Sequence, residues 1–490
     1  MSAEPPHLEI VFAASEALPY SKTGGLADVI GALSAALAQK GLTLTVFLPL
    51  YGQIDREAYS LRSISKEIVV PISDRNEKGK LYRGAQEGVV FYFIEHERYF
   101  NRLGYYGTDE GDYIDNAERF VFFSRGVLEG LKILGLRPDV LHCHDWHTAL
   151  IPLYLKHIYP MDFPNTSTLF TIHNLGYQGV FWHYDWHLLN LPWDYFNPDA
   201  LEFFGKINLL KAGLFFADRL STVSSKYAKE IQTPEKGQGL DGVLSKRKND
   251  LIGILNGIDT KEWDPEHDPH IASHYNKDHL AGKSNCKEAI QKELGLPVNK
   301  EIPLFGMITR LVAHKGIDLL TSLLEKIMTL RIHLVILGNG EKQYENVLLA
   351  CARRFPEKMA VKVVYDPALA HRIEAGADLF LMPSQYEPCG LTQMMSLRYG
   401  TVPIVHATGG LDDSIHSFHP PSGRGNGFKF KTYSKTAFLR QIQKSISLFR
   451  DKKKWRTLMR NGMSGDYSWD ASADAYLRLY QELVKKQEKI

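Results

Sequence analysis

The chain of 490 residues has few of the features that mark several large classes of protein. It holds only four cysteines, without any C-x-x-C pair, which argues against a disulfide framework and favours reduced thiols in a cytoplasm. No run approaches 18 apolar residues, so we expect no membrane span. Residues 1–6 lack a basic segment leading into an apolar one, so we expect no leader and a cytoplasmic location. The net charge of +2 implies neither a nucleic acid nor an anionic membrane as a partner.

Two short motifs are also absent from the sequence. No D-x-D pair occurs, and this pair is what a metal-dependent nucleotide-sugar site would use to hold its cation. No G-x-x-x-x-G-K-[ST] loop occurs either, which disfavours phosphoryl transfer from ATP. The sequence therefore predicts no bound metal and no cofactor.

What the chain does contain is a regular alternation of strand and helix patterns. This alternation predicts parallel sheets with helices on both faces, in an α/β fold. A polar, proline-broken stretch at residues 263–270 marks a linker. We therefore expect one domain over residues 1–260, a second over 261–465, and a last helix within 466–490 that crosses back to the first. Strands are predicted at residues 8–14, 44–48, 89–94, 140–143, 168–172, 219–223, 251–255, 303–308, 333–337, 362–364, 379–382 and 402–405, and helices at 117–134, 148–157, 316–328, 341–353, 367–375 and 392–399.

The most informative segment, residues 22–28 (KTGGLAD), follows the first predicted strand and opens a helical pattern. A double glycine lets the backbone approach a phosphate or a sugar, and the free amides and dipole of a helix start favour an anion. Lys22 adds a mobile positive charge. The alternative is a purely structural turn with an incidental lysine.

A second segment of this type, residues 408–413 (TGGLDD), follows the predicted strand at 402–405. We interpret it as a second use of the same loop chemistry. Two such anion sites suggest two nucleotide-type domains, and ligands of doubly wound sheets lie beyond the carboxyl ends of the strands. We therefore expect the site in a cleft between the domains.

Two further strand ends in the second half carry charged residues. Arg310 and Lys315 follow the strand at 303–308 and could neutralise a diphosphate leaving group without a metal, unless they are only solvated surface charges. Glu387, within residues 383–392 (PSQYEPCGLT), could hold sugar hydroxyls while the amides after it face a phosphate. The alternative for Glu387 is an acid that merely stabilises a helix start.

Histidines gather at two strand ends of the first half. His142, His144 and His147 invite a zinc interpretation, but no distant group completes a ligand set, and Asp145 is predicted to cap a helix that begins at Trp146. His173, in residues 171–179 (TIHNLGYQG), has polar neighbours that favour contact with a substrate over a buried structural role.

Taken together, these segments resemble the bacterial glycogen synthases and plant starch synthases, which are ADP-glucose-dependent glucosyltransferases. The resemblance extends in order over nearly the whole chain and includes residues 22–28, 144–147, 172–174, 256–259, 387–391 and 408–411. It implies a GT-B fold, in which two doubly wound Rossmann-like domains face each other across a cleft. Acceptor contacts are expected mainly in the first domain and nucleotide contacts mainly in the second.

The resemblance also implies roles for individual residues. Catalytic roles fall on Asp28 near the reacting centre, His173 on glucose hydroxyls, Arg310 and Lys315 on the departing phosphates, and Glu387 on the transferred glucose. Substrate-binding roles fall on Lys22, Gly24, Gly25, Tyr106, Asn256, Tyr365, Cys389, Gly390, Leu391 and Thr392. Tyr365 lies where the family stacks a tyrosine on adenine. Tyr106 follows Tyr105, so either could be the tyrosine near the donor. The chain departs from the family in carrying His406 where an arginine is usual, and in its pair Met394 and Met395.

The function implied is retaining transfer of glucose from ADP-glucose to the non-reducing end of an α-1,4-glucan, with release of ADP. The expected partners are ADP-glucose and glycogen or a malto-oligosaccharide. Two alternatives stay open: a GT-B transferase that uses UDP-glucose and another acceptor, and a glucan-binding scaffold without catalysis. The full set of charged candidates disfavours the scaffold. Phosphorolysis is disfavoured because that related fold needs a much longer chain and a pyridoxal-bearing lysine.

Overall fold

The computed structural model describes residues 8–487, which form two compact units. Within these limits the first unit consists of residues 8–223, Ala228–Ile254 and 469–487, and the second consists of Ser224–Tyr227 and Leu255–Ser468. The predicted absence of a leader concerns residues 1–6, which lie outside the described residues. The domain limits expected at residues 260 and 465 stay predictions.

The first unit contains a large sheet, two small antiparallel sheets and surrounding helices. Its strands are β1 (Glu9–Ala13), β2 (Thr43–Pro49), β3 (Arg62–Ile72), β4 (Arg75–Gln86), β5 (Val89–Glu95), β6 (Gly107–Thr108), β7 (Gly111–Asp112), β8 (Val140–His144), β9 (Ser167–Ile172), β10 (Val180–Trp182), β11 (Glu202–Phe203), β12 (Lys206–Asn208), β13 (Arg219–Thr222) and β14 (Leu251–Gly253). Its helices are α1 (Gly25–Gln39), α2 (Glu97–Phe100), α3 (Asn116–Leu134), α4 (Leu150–His157), α5 (Leu209–Phe216), α6 (Ser225–Glu230, which begins in the second unit), α7 (Asp241–Lys246) and α17 (Trp469–Gln487).

The large sheet has the strand order β14-β13-β9-β8-β1-β2-β5-β4-β3. Seven strands are parallel, and the hairpin of β3 and β4 pairs antiparallel at one edge. The chain goes from β1 to β2 on one side and returns to β8 on the other. The loops after β1 and β8 therefore separate at this point, which is where a doubly wound sheet opens a crevice for a ligand.

Helix α1 covers this sheet through the residues that the sequence pattern singles out. Leu26, Val29, Ile30, Leu33 and Leu37 are all buried. Their burial removes a continuous apolar stripe from water, and each such side chain contributes about 1.5–3 kcal/mol. The packing fixes the direction of α1, and with it the position of the glycine loop before the helix.

Helix α17 packs against the first unit, although it comes last in the chain. Lys40, just after α1, forms an ion pair with Asp474 at 2.7 Å. Further along the helix, the hydroxyl of Tyr480 lies 2.8 Å from Nδ1 of His142 in β8. No helix in the described part of the chain is long and apolar enough to cross a membrane.

The second unit contains one six-stranded parallel sheet with helices around it. Its strands are β15 (Leu304–Ile308), β16 (His333–Leu337), β17 (Met359–Lys362), β18 (Leu379–Met382), β19 (Val402–His406) and β20 (Phe428–Phe430). Its helices are α8 (Ala281–Glu293), α9 (Ile317–Thr321), α10 (Leu324–Met328), α11 (Lys342–Arg354), α12 (Pro367–Gly376), α13 (Thr392–Arg398), α14 (Gly409–Ser414), α15 (Lys435–Phe449) and α16 (Lys452–Met463).

The strand order of this sheet is β17-β16-β15-β18-β19-β20. The chain goes from β15 outward through β16 and β17, and then crosses to β18 on the opposite side of β15. The loops after β15 and β18 therefore separate at the switch point of this sheet. These loops carry Arg310, Lys315 and Glu387.

The α/β class with two mainly parallel sheets is confirmed, and most predicted strands are present. Two local predictions are wrong, and one feature was missed. The strand expected at residues 362–364 lies earlier, at Met359–Lys362, and the helix expected at 316–328 is broken into α9 and α10. The hairpin of β3 and β4 was not predicted, because its edge position leaves most of its side chains exposed and its apolar alternation weak.

Candidate active site

In the first unit, the loop after β1 is held by a buried carboxylate, that of Glu16. Its Oε1 accepts hydrogen bonds from the hydroxyls of Thr23 at 2.7 Å and Tyr106 at 2.5 Å, and Oε2 accepts one from the Thr23 N–H. Burial raises the pKa of the Tyr106 hydroxyl well above its usual value. Glu16 therefore ties the start of the glycine loop to the segment that carries Tyr106. Because the Tyr106 hydroxyl is bound to Glu16, Tyr106 supports the loop through this carboxylate.

The glycine loop itself is open. A Cβ placed on Gly24 or Gly25 would meet no atom within 4 Å, and neither N–H has a hydrogen-bond acceptor among the described residues. Lys22 is not the mobile charge that the sequence suggested, because its Nζ donates to Oδ1 of Asp28 at 2.7 Å. The loop thus offers free amides beside a neutral ion pair, with space above its backbone.

The loops after β8 and β9 are joined by Asp145. Its buried carboxylate accepts the N–H of His173 at 2.8 Å and forms no capping bond to the 3₁₀ turn Trp146–Thr148, so the predicted capping role is wrong. Burial raises the pKa of Asp145 to about 7, against the effect of the backbone N–H groups. Burial lowers the pKa of His173 to about 3, so its ring is neutral and suited to hydroxyl contacts.

Two of the other histidines of this region have internal hydrogen-bond partners. His142 has both ring nitrogens occupied, by the Tyr480 hydroxyl at 2.8 Å and the Thr171 hydroxyl at 2.6 Å. Nδ1 of His144 lies 3.0 Å from Nε2 of His173. Across residues 8–487, no three His, Cys, Asp or Glu side chains are arranged to hold a metal ion. The zinc alternative therefore has no support in this geometry.

In the second unit, a cavity opens at the switch point between β15 and β18. It encloses about 320 Å³ of empty space, including part of the open solvent. It is lined by residues of both strand ends and of the loop before α13: Met307, Ile308, Thr309, Lys315, Leu381, Met382, Ser384, Glu387, Gly390, Leu391 and Thr392. Five predicted site residues thus share one cavity.

The charged centre of this cavity is an ion pair between Lys315 and Glu387. Nζ of Lys315 lies 2.8 Å from Oε1 and 2.7 Å from Oε2 of Glu387, and the Ser384 hydroxyl donates to Oε2 at 3.0 Å. Gly316 permits this arrangement: its φ is 81°, and a Cβ there would collide with the carbonyl of Pro383. Glu387 is therefore fixed by two donors and held by tertiary contacts, rather than serving only a helix start.

Backbone amides form the other wall of the cavity. The N–H groups of Gly390, Leu391 and Thr392 have no acceptor among the described residues, and all three residues line the cavity. Cys389 precedes them but points into the protein beside the backbone of Asn256, and burial raises the pKa of its thiol to about 12. The cavity thus combines a fixed carboxylate and ammonium group with a run of unpaired amides.

The second glycine loop does not offer an anion site, and the interpretation of Gly409 and Gly410 as one is wrong. The Gly410 N–H is already donated to the carbonyls of Glu387 at 3.2 Å and Pro388 at 3.0 Å. A Cβ on Gly409 would collide with the carbonyl of Glu387, and one on Gly410 with that of Cys389. These glycines are required because the backbone of α14 packs directly on the loop that carries Glu387.

Besides Cys389, three predicted residues of the second unit lie outside the cavity lining. Arg310 is exposed and forms no ion pair with any described residue. Tyr365 follows β17 and is 80% exposed, so its ring is free to stack on a flat group. Asn256 is buried, and its Oδ1 has no hydrogen-bond partner in the described part of the chain. An unpaired buried amide oxygen costs about 1–3 kcal/mol, so Asn256 is a candidate for contact with a ligand.

His406, which stands where the family usually has an arginine, is buried at the end of β19. Its Nδ1 lies 2.9 Å from the carbonyl oxygen of Ser384, and its ring packs against Phe430 and Tyr433. His406 therefore supports the loop before Glu387. Of the two unusual methionines, Met394 lies on the buried side of α13.

The sequence does not indicate the supporting roles of four residues: Glu16, Asp145, Ser384 and Gln393. Asp145 carried a signal, since it is an acid next to a histidine at a strand end, but it was assigned to a cap. Glu16, Ser384 and Gln393 lie within six residues of a predicted site residue. Their partners come from distant segments or depend on the exact path of the loop, and no spacing pattern indicates them.

Two family models match consecutive parts of the chain. The starch synthase catalytic domain matches residues 9–246, and glycosyl transferases group 1 matches residues 287–461. Together with the two α/β units, these matches define a glycosyltransferase of the GT-B class.

Full-length relatives give the particular family. The chain is 49% identical to the glycogen synthase of Koribacter versatilis over 97% of its own length and 98% of the relative. It is 48% identical to that of Anaeromyxobacter sp. (strain Fw109-5) over 97% and 100%. The chain belongs to the glycogen synthase family.

Solved structures agree with this assignment. The catalytic domain of starch synthase IV from Arabidopsis thaliana, bound to ADP and acarbose, matches with a TM-score of 0.89 and 34% identity, over 98% of this chain and 100% of that one. Sucrose-phosphate synthase from Thermosynechococcus elongatus shares the fold, with a TM-score of 0.62 and 16% identity over the same shares of the two chains.

Proposed function

We propose that this protein transfers glucose from ADP-glucose to the non-reducing end of an α-1,4-glucan, retains the anomeric configuration and releases ADP. One observation carries the proposal: Glu387, Lys315 and three free amides share one cavity at a strand switch point. A sugar hydroxyl needs a fixed acceptor, and a diphosphate needs amides and cations; the cavity has both. The starch synthase solved with ADP and acarbose supports the same pairing of ligands.

In the second unit, we assign Glu387 to the transferred glucose, and Lys315 and Arg310 to the phosphates. The amides of Gly390, Leu391 and Thr392 donate to phosphate oxygens, and Cys389 holds the start of this segment by its burial. Tyr365 stacks on the adenine. The unpaired Oδ1 of Asn256 accepts a glucose hydroxyl.

In the first unit, we assign Lys22, Gly24 and Gly25 to the donor, and Asp28 to the neighbourhood of the reacting carbon. Two observations support this assignment: the space above both glycines and their free N–H groups. His173, whose neutral ring is held by Asp145 through its backbone, contacts glucose hydroxyls. Tyr106 supports the loop through Glu16 and lies near the donor.

The proposed chemistry follows from how Glu387 is held. Both of its oxygens are engaged by Lys315, so this carboxylate is suited to orient the glucose and to stabilise positive charge rather than to attack carbon. We propose that the acceptor hydroxyl attacks the anomeric carbon from the face that the diphosphate leaves. A new C–O bond forms as the C–O bond to phosphate breaks, and the hydroxyl proton passes to a phosphate oxygen. Lys315 and Arg310 stabilise the charge on ADP.

The test is transfer of radiolabelled glucose from ADP-glucose or UDP-glucose, each with and without glycogen. We expect label in the glucan only when glycogen is present, with a higher kcat/KM for ADP-glucose. A higher kcat/KM for UDP-glucose would overturn the donor assignment. Glucan binding without any transfer would identify a scaffold.

A pair of matched variants tests the cavity itself. Glu387→Gln should lower turnover by about 10²–10³, since it removes one preorganised charge from the site. Glu345 is the control: it is also buried and paired with a lysine, Lys342 at 2.6 Å, but lies outside the cavity. Turnover that survives in Glu387→Gln, or falls equally in Glu345→Gln, would contradict the assignment.

We also propose a cytoplasmic location, in line with the four unpaired cysteines.

A further inference from the structure

The loop that carries the cavity amides is held from behind by one buried side chain, that of Gln393. It has 0% exposure and lies in the first turn of α13. Its Nε2 donates to the carbonyl oxygen of Gly390 at 2.8 Å and approaches that of Cys389 at 3.3 Å. The same atom lies 3.1 Å from the Ser414 hydroxyl, which donates to the carbonyl of Gly410 at 2.6 Å.

These contacts determine where the amides of the loop point. In a trans peptide the C=O and the N–H of the next residue point in opposite directions. The carbonyls of Cys389 and Gly390 point inward to Gln393, so the N–H groups of Gly390 and Leu391 must point away from it. The N–H groups of Gly390 and Leu391 have no acceptor among the described residues, and both residues line the cavity.

The other end of the Gln393 side chain argues against a purely structural role. Its Oε1 is buried and has no hydrogen-bond partner among residues 8–487. A buried amide with one unsatisfied end is costly, and an apolar side chain would fill the same space without that cost. By contrast, Gln291 of the same unit is equally buried but uses both ends: Nε2 lies 2.9 Å from Nδ1 of His333, and Oε1 accepts the N–H of Asn299 at 3.3 Å.

We propose that Gln393 is a positioning residue for the diphosphate of the donor. By holding two carbonyls inward, it aims the amides of Gly390 and Leu391 at the second phosphate, the one farther from the adenosine. This inference rests on the proposed function, because it assumes that the cavity takes a nucleoside diphosphate. Gln393 itself touches no substrate. Its effect is on the second phosphate of the ligand, and the adenosine part is held by other residues.

The experiment is calorimetric binding of ADP and AMP to the full chain with Gln393→Met, which keeps the shape of the side chain and removes its donors. We expect ADP affinity to fall about tenfold while AMP affinity changes less than about twofold, because AMP lacks the second phosphate. In steady-state kinetics, KM for the donor should rise more than kcat falls. Gln291→Met is the matched control and should leave both affinities at the wild-type values.

The outcomes separate this inference from the proposed function. If Gln393→Met folds and keeps the wild-type ratio of ADP to AMP affinity, Gln393 does not position the amides, although the diphosphate site stands. If the unchanged protein does not bind ADP more tightly than AMP, the diphosphate site itself is wrong. Should Gln393→Met not fold, Gln393→Leu is smaller, lacks the donors as well and leaves no buried polar end. The same loss of preference for ADP is expected there, and its absence overturns the inference.

Discussion

The first glycine loop, Gly24 and Gly25, and the second, Gly409 and Gly410, both lie between a parallel strand and a helix, but their surroundings differ. The first has free amides and no atom within reach of an added Cβ. The second is pressed against the backbone of Glu387, Pro388 and Cys389, and the Gly410 amide is used there. Glycine thus serves access in one loop and close packing in the other. The second loop contributes to the site by holding Glu387 in place.

The strongest test of this contrast is to add one methyl group to each loop. Gly410→Ala should destabilise the protein by about 3 kcal/mol or more, because the new Cβ would collide with the backbone carbonyl of Cys389. Gly25→Ala should change stability by less than about 1 kcal/mol, in the favourable direction, since alanine is the better helix former. Thermal and urea unfolding of both variants measure the difference.

For the first loop, the enzymatic activity of Gly25→Ala is measured beside its stability. A ligand that approaches the backbone of Gly25 should be hindered by the methyl group, so Gly25→Ala should lower kcat/KM without any loss of stability. Equal loss of stability in the two variants would remove the distinction between an open and a closed loop.

The lysines beside the loops extend the comparison. Lys315→Met leaves Glu387 buried without its partner, and we expect a loss of about 3 kcal/mol together with most of the activity. Lys22→Met breaks a pair whose side chains are 43% and 29% exposed, and such pairs contribute less than about 1 kcal/mol. Chemical denaturation of both variants at one pH gives the comparison. A larger loss for Lys22→Met would contradict it.

A smaller effect is expected at the support of the first loop, and it depends on pH. Burial raises the pKa of Asp145 to about 7, so the folded state keeps a proton that the unfolded state loses near pH 4. The cost of this residue therefore grows as the pH rises from about 4 to 7 and is constant above. Asp145→Asn, which can still accept the His173 N–H, should be more stable than wild type by roughly 1–3 kcal/mol at pH 8.

The reference for this prediction is the same pair of proteins at pH 4, where Asp145 is protonated in the folded state and about half protonated in the unfolded state, so the difference should shrink to about 0.5 kcal/mol or less. Unfolding midpoints measured across the pH range test the sign. A stability difference that does not depend on pH would mean that the carboxyl does not titrate in the folded protein.

How much of this could be predicted from the sequence differs between the two loops. Apolar runs and helical spacing are local, so β1, α1, β15 and the strand ends that carry Lys315 and Glu387 were predictable. The roles of Gly409 and Gly410 were not, since both loops have the same local pattern and only the distant backbone of Glu387 distinguishes them. The same holds for Glu16 and Asp145, whose partners come from other strands. Tertiary contacts join residues at arbitrary separations along the chain, so they produce no periodic pattern in the sequence.

The smallest effect is expected from removal of metal ions, which should not change the activity. The reason lies in the positive charge that the protein itself offers to the phosphates. Lys22 and Lys315 are each paired with a carboxylate, whereas Arg310 is exposed and forms no ion pair among the described residues. Arg310 is therefore the cation that can turn to the diphosphate without breaking an existing contact. Excess EDTA should leave glucosyl transfer unchanged, because the charge is supplied by the protein. Arg310→Ala should lose both turnover and ADP affinity, by about 1.5–3 kcal/mol in binding, with no recovery on addition of Mg²⁺. Loss of wild-type activity in EDTA that Mg²⁺ restores would show that a metal, rather than Arg310, neutralises the departing phosphates.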